Sequence, residues 1–404
     1  MPHGVDGGNM EKLRVGLLFG GPSVEHEVSI VSATSILGAL DRTRYDVSLV
    51  GVDSEGGWHL IAAEVFEAIP SSKEGGDADA GLARVINEPG VFLPATSGPT
   101  ALRSANEEIP NLATIEAGRL DVVFPIIHGR GGEDGALQGL LESADLAYVG
   151  SGVLSSAVQM DKDFAKRLLA QAGLPVTPWI TFSGAELDRN GIPAAASQAE
   201  AEIGFPAYVK PANSGSSIGI ARVETLAELV AAITEAQRYD RKVLVEVSVD
   251  AREIEIAVLG NDEPRASVPG EIRTTQTFYD YDAKYRDDST ELIIPAELDA
   301  GLCETIRASA IEAFRALGAE GMARVDFLLE RGTDRFYINE LNSLPGFTNV
   351  SMYPKLWEST GLSYPKLLDR LIELALERHD RQSKLETHAP PSVVEREQPE
   401  RDAP

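Results

Sequence analysis

Met322-Ala-Arg-Val-Asp-Phe-Leu-Leu-Glu330 and Arg335-Phe-Tyr-Ile-Asn-Glu-Leu-Asn342 are two short runs rich in β-branched and aromatic residues. Gly332-Thr333-Asp334 lies between them, so the pair reads as a β-hairpin. Side chains alternate faces along a strand. Arg324 and Asp326 therefore share a face of the first strand, and Glu340 and Asn342 share a face of the second. A loop of about three or five residues would bring both faces to one side. Two carboxylates and an amide then converge beside a guanidinium. This all-oxygen set suits Mg²⁺ shared with substrate phosphates and does not suit Zn²⁺. The competing reading is a surface hairpin carrying solvated acids. Against it, Glu340 and Asn342 continue the face of Phe336 and Ile338, which is expected to point inward. Buried carboxylates without a cation are costly.

Working outward, 404 residues with 43% hydrophobic content can fill two or three cores. A net charge of −27 with no basic cluster argues against a nucleic-acid partner. The lone Cys303 excludes a disulfide framework, and no Cys/His spacing suggests zinc. No signal peptide or membrane-spanning run is visible, so a cytoplasmic protein without a membrane partner is expected. The last residues, rich in Pro, Glu, Arg and Gln, read as disordered.

Leu13-Arg-Val-Gly-Leu-Leu-Phe is a buried strand followed by Gly20-Gly-Pro-Ser, a helix to about Leu40, and a strand from Tyr45. That order is a doubly wound α/β half. Asp121-Val-Val-Phe-Pro-Ile-Ile restores a buried strand after a loop-rich region from Glu55 to Gly118. Helices are expected over 136–146, 161–173, 225–239 and 363–377, with the last strands before the hairpin flanking a long polar and aromatic loop, 274–291. The boundaries predicted are an extension 1–12, an α/β unit 13–159, a central unit 160–250, a C-terminal unit 251–379 and a disordered tail 380–404.

No GxxxxGK[ST] occurs, and GxGxxG is absent after the first strand. Instead, Lys210 ends a strand before the small-residue loop 213–219, a device that can grip phosphate. An ordinary turn is the competing reading there, as a surface lysine is for Lys162. Glu246 could accept from an adenine amine and Glu253 could reach a ribose; each is otherwise a strand-end acid. The turn at 20–25 can offer a helix N-terminus to a carboxylate and Glu25 to an ammonium, which together describe an amino acid.

Eight runs in this order resemble the D-alanine–D-alanine ligases of the ATP-grasp superfamily. They are Gly20-Gly-Pro-Ser-Val-Glu-His-Glu-Val-Ser, His128-Gly-Arg-Gly-Gly-Glu-Asp-Gly-Ala-Leu-Gln-Gly, Met160-Asp-Lys, Val209-Lys-Pro, Gly215-Ser-Ser-Ile-Gly, Phe278-Tyr-Asp-Tyr-Asp-Ala-Lys-Tyr, Arg324-Val-Asp-Phe and Asn339-Glu-Leu-Asn-Ser-Leu-Pro-Gly. The resemblance implies an α/β fold, α+β in its central and C-terminal parts: an ATP-grasp fold behind a doubly wound N-terminal domain. It implies transfer of the ATP γ-phosphate to one D-Ala, then attack by the amine of a second on the acyl phosphate. The product would serve peptidoglycan precursor synthesis.

By the same resemblance, Glu25 would hold the first ammonium and His128 would sit near its carboxylate. Lys162, Lys210 and Lys284 would neutralise phosphates, with Ser217, Glu246, Val249 and Glu253 also contacting ATP. Ser216 and Tyr285 would close the site with Glu25. Arg324 and the Gly346 N–H would stabilise the oxyanion. Asp326, Glu340 and Asn342 would hold two Mg²⁺ or Mn²⁺ ions. Ser351 and the Met352 backbone would receive the second carboxylate, and a homodimer is implied. Val247 stands where several relatives have Lys, which would thin the adenine contact. The general base is left unassigned. A ligase for D-lactate or D-serine, a non-catalytic nucleotide-binding regulator and a dehydrogenase are the alternatives; Tyr285, the intact metal set and the missing fingerprint argue against them in turn.

Overall fold

The computed structural model describes residues 11–23, 25–66, 91–92, 103–104, 120–274, 290–348 and 350–386. Lys284, Tyr285 and nearly all of the expected 274–291 loop lie outside these, as do most of 55–118, residues 1–10 of the expected extension and 387–404 of the expected tail, whose first residues, 380–383, are helical instead.

A five-stranded sheet runs in the order Trp58–Ile61, Tyr45–Val52, Leu13–Gly20, Val122–Pro125, Ala147–Tyr148. All neighbours are parallel except the first pair. Its central strand is apolar on both faces because both are covered. Val15, Leu17 and Phe19 pack with the helix His26–Ala39, while Leu18 packs oppositely with Leu137 and Leu141. The helix Tyr364–Ser383 joins the first of these cores through Leu367, Leu371 and Ala375. It runs past the expected end at Glu377. Buried Arg378 explains this: its guanidinium donates to the Tyr148 and Gly150 carbonyls at the far edge of the sheet.

A four-stranded antiparallel sheet follows, ordered Ala221–Val223, Ala207–Pro211, Lys242–Val247, Trp179–Ser183. The helices Ile192–Glu202 and Leu226–Ala236 cover it through Ala196, Ala199, Leu229 and Ile233. The third sheet is antiparallel, ordered Thr290–Ile293, Gly270–Thr274, Ala251–Gly260, Gly321–Glu330, Phe336–Asn342, with Arg265–Ala266 paired to Ala251–Gly260. The helix Ala300–Ala316 packs on one face of it. So do Ala165 and Leu169 of the helix Lys162–Gln171, which the sequence reading placed in the central unit.

The hairpin corrects one expectation. Phe336, Ile338, Glu340 and Asn342 do not share a face. The register passes from Asp326↔Glu340 to Phe327↔Ile338, leaving Asn339 as an extra residue in a β-bulge. Ile338 therefore joins Phe327 in the core, while Glu340 and Asn342 stand opposite Asp326 and Arg324 on the other face. A bulge re-aims side chains in this way, and simple alternation cannot foresee it.

Candidate active site

A cavity of about 990 Å³ opens where the three sheets meet, within the range of small-molecule sites. The first sheet supplies the wall that carries Glu25, His128 and Glu133. Glu25 immediately precedes the helix His26–Ala39 and is buried. The Ser216 hydroxyl donates to Glu25 Oε1, so the first and central parts of the chain close on each other here. The approach is tight: a Cβ on Gly215 would sit 3.2 Å from Glu25 Oε2. Ser216 and Ser217 both have positive φ, 48° and 59°. Non-glycine residues adopt this region rarely, and such strain is held in place by its surroundings.

His128 Nδ1 lies 3.1 Å from the Leu344 carbonyl, and burial pushes the imidazole pKa down. Its Nε2 is buried with no partner among the described residues; with Nδ1–H donating to that carbonyl, Nε2 of the neutral ring is an acceptor that a ligand N–H or O–H could satisfy. Glu133 receives the Gly129 and Leu344 N–H groups at 2.6 and 3.2 Å. Burial, with the Glu25 charge adding, pushes its carboxyl up to about 8. Glu133 was missed as a site residue, although the His128 run contains it; its depth, not its type, marks it.

On the central side, Lys162 opens its helix behind the Asp161 cap, whose side chain accepts from the Asp163 and Phe164 N–H groups. Its Nζ donates to the Ser214 carbonyl at 2.8 Å and pairs with Glu340 at 3.1 Å. Lys210 Nζ reaches Asn339 Oδ1 at 3.1 Å and also pairs with Glu246. Glu246, the expected adenine acceptor, lines the cavity and is held from behind. Both Glu246 oxygens are taken by ammoniums, Oε1 by Lys210 and Oε2 by Lys166. Ser217, Val249 and Glu253 line the cavity as separate contributions from the loop and the start of the third sheet.

The hairpin supplies the floor. Arg324 donates twice to Asp326, at 2.7 Å each, and once more lies 3.1 Å from Glu255. Burial opposes its charge, but Asp326 and Glu255 outweigh burial and hold the guanidinium well above its usual pKa. Asn342 Nδ2 donates to Asp326 at 2.9 Å. Among the described residues no group of three or more His, Cys, Asp or Glu could cage a metal alone. Two carboxylates and an amide on one face fit an ion that completes its shell from phosphates. Past the hairpin, Ser351 precedes the helix Met352–Ser359 and its hydroxyl is bonded to Thr348. Gly346 lies against it: a Cβ there would meet Ser351 Oγ at 2.8 Å.

Family models described as D-ala D-ala ligase N-terminus and C-terminus match residues 14–151 and 168–373. The chain belongs to the D-alanine–D-alanine ligase family.

It is 47% identical to a D-alanine–D-alanine ligase of Shouchella clausii over 94% of its own length and 98% of the relative's. The solved D-alanine–D-alanine ligase of Coxiella burnetii superposes with a TM-score of 0.78 at 38% identity, covering 93% of this chain and 97% of that one. A D-Ala:D-Ser ligase from Enterococcus faecalis superposes at 0.75 with 32% identity, covering 90% and 100%. The ATP-grasp fold expected from the motifs is thus the fold of this ligase-family chain. No helix among its described residues is long and apolar enough to cross a membrane.

Proposed function

We propose that this cavity joins two D-alanines through a D-alanyl phosphate, with the roles below. The chain is an ATP-dependent D-alanine–D-alanine ligase. The observation that supports the assignment of roles is the meeting, in one cavity, of Glu25–Ser216 with the Arg324–Asp326–Glu340 floor.

Glu25 receives the ammonium of the first D-Ala, and His128 lies beside its carboxylate on the same wall of the cavity. Lys162 and Lys210 face the triphosphate from the central wall. Lys284 and Tyr285 are proposed to complete the phosphate and Ser216 contacts. Arg324 and the Gly346 N–H stabilise the oxyanion as the second amine attacks. Ser351 and the Met352 N–H, at the start of a helix, receive the second carboxylate. Asp326, Glu340 and Asn342 would hold Mg²⁺ or Mn²⁺, which when bound neutralises phosphate charge. Val249 and Glu253 border the nucleoside. The working assembly is a homodimer and its location the cytoplasm.

Mixing the protein with ATP, Mg²⁺ and D-Ala and measuring phosphate release tests this, with D-Ser and D-lactate as parallel second substrates. Release dependent on D-Ala, with D-Ala-D-Ala as product, is expected. Equal release without D-Ala, or a D-Ser product formed faster, would overturn it.

A further inference from the structure

Lys166 lies outside the cavity lining and its side chain is only 2% exposed, yet it touches the group that touches Lys210. Its Nζ sits 2.9 Å from Glu246 Oε2 and donates to Thr177 Oγ1 at 2.7 Å. Thr177 in turn donates to the same Glu246 oxygen at 3.2 Å. The other oxygen, Oε1, receives Lys210. One carboxylate thus serves two ammoniums, and the trio carries one excess positive charge. Lys162 and Glu340 next to it offset each other at 3.1 Å. The excess charge has one way out: Lys166 is sealed under the Trp179 ring, 5.7 Å from its centroid, whereas Lys210 borders the cavity.

Burial raises the Glu246 carboxyl, but the two lysines outweigh it and hold it at about 2, so it is a fixed anion. Burial lowers Lys166, while Glu246 and Glu340 outweigh burial and raise Lys210. Unpaired charge in such a dry site is strongly disfavoured, so removing one member redistributes the others' pairing.

We infer that Lys166 is a positioning residue for nucleotide binding: by occupying one oxygen of Glu246, it leaves Lys210 with net positive charge to present to the triphosphate. Without Lys166, Glu246 would neutralise Lys210 completely. This rests on the reading of Lys210 as a phosphate-binding residue.

The test is equilibrium titration of the full chain with ATP and Mg²⁺, beside KM values for D-Ala. Lys166→Met should weaken ATP binding roughly tenfold, as for loss of a close charge partner, and leave the KM for D-Ala unchanged. If Lys166 acts through Glu246, Lys166→Met/Glu246→Gln should bind ATP within about threefold of Glu246→Gln alone, a non-additive result expected of directly coupled groups. A double variant about tenfold weaker than Glu246→Gln would overturn the inference, because a packing role does not need the carboxylate. If Lys166→Met does not fold, the double variant set against Glu246→Gln decides alone, by the same tenfold criterion. Lys210→Met separates the two readings. Undiminished ATP affinity in that variant would remove Lys210 from the phosphate site, whereas weakening there with none in Lys166→Met would sink this inference only.

Discussion

Asp326 and Glu340 are direct cross-strand partners on the cavity face of the hairpin, and the bulge begins at the next pair. The extra residue at 339 lets one strand send Ile338 into the core and Glu340 into the site. The same strand thereby anchors the fold and presents the carboxylate proposed to hold the metal. Asn339 has its own part, since its side chain accepts from Lys210.

Glu340→Gln should abolish turnover with little change in thermal stability. The carboxylate is partly exposed and pairs with Lys162, and Gln keeps its shape and an acceptor oxygen, so the fold loses a modest ion pair. Phosphate release by this variant loses several kcal/mol of transition-state stabilisation, on the order of 10²-fold or more in rate. Near-parental release at ordinary Mg²⁺ would remove Glu340 from the metal set.

Deleting Asn339 tests the bulge itself. Removing one residue forces a choice between keeping Ile338 in the core and keeping Glu340 in the cavity, because a one-residue slip turns side chains to the other face. Loss of activity together with a lower unfolding midpoint is expected. An active variant of parental stability would mean that the bulge does not set the aim of Glu340.

The fold was legible where physics is local. Continuous apolar strands, Gly turns and the capped start at Asp161 stand close to where they were read. The convergence of Glu25 and Ser216 was legible only through resemblance, since 191 residues separate them. The bulge, the Lys166–Glu246–Lys210 trio and the depth of Glu133 were not legible. Each depends on register or burial fixed by three-dimensional packing, and no periodicity in the sequence encodes them.

Asp161→Ala should destabilise the protein by about 1–2 kcal/mol, the typical loss of an N-cap. Its Oδ1 caps the helix that Lys162 opens, and its Oδ2 receives Lys242 at 2.7 Å and Asn213 at 3.3 Å. Fraying at that end also loosens Lys162, so the KM for ATP should rise while Asp161→Asn, which keeps a capping oxygen, stays closer to the parent. Denaturant unfolding and initial rates measure the two parts. Equal behaviour of the Ala and Asn variants would show that the cap oxygen is not what holds the helix start.

Glu133 gives a pH dependence whose sign follows from its environment. Its carboxyl titrates at about 8 in the folded chain, against 4.5 when free of the fold, because burial and the neighbouring Glu25 disfavour the charge. Below 4.5 both states are protonated and the group favours neither. Between 4.5 and about 8 the unfolded chain releases the proton while the folded chain keeps it, so native stability falls as pH rises. Above about 8 both are ionised and the loss levels off. Glu133→Gln removes this titration and keeps an acceptor for the Gly129 N–H. The stability of the parent minus that of Glu133→Gln, from unfolding curves across this range, should therefore decline steadily with pH. A difference that stays flat from acid to mildly basic pH would show that Glu133 is already ionised in the native cavity, and that the Gly129 and Leu344 N–H groups compensate for its burial.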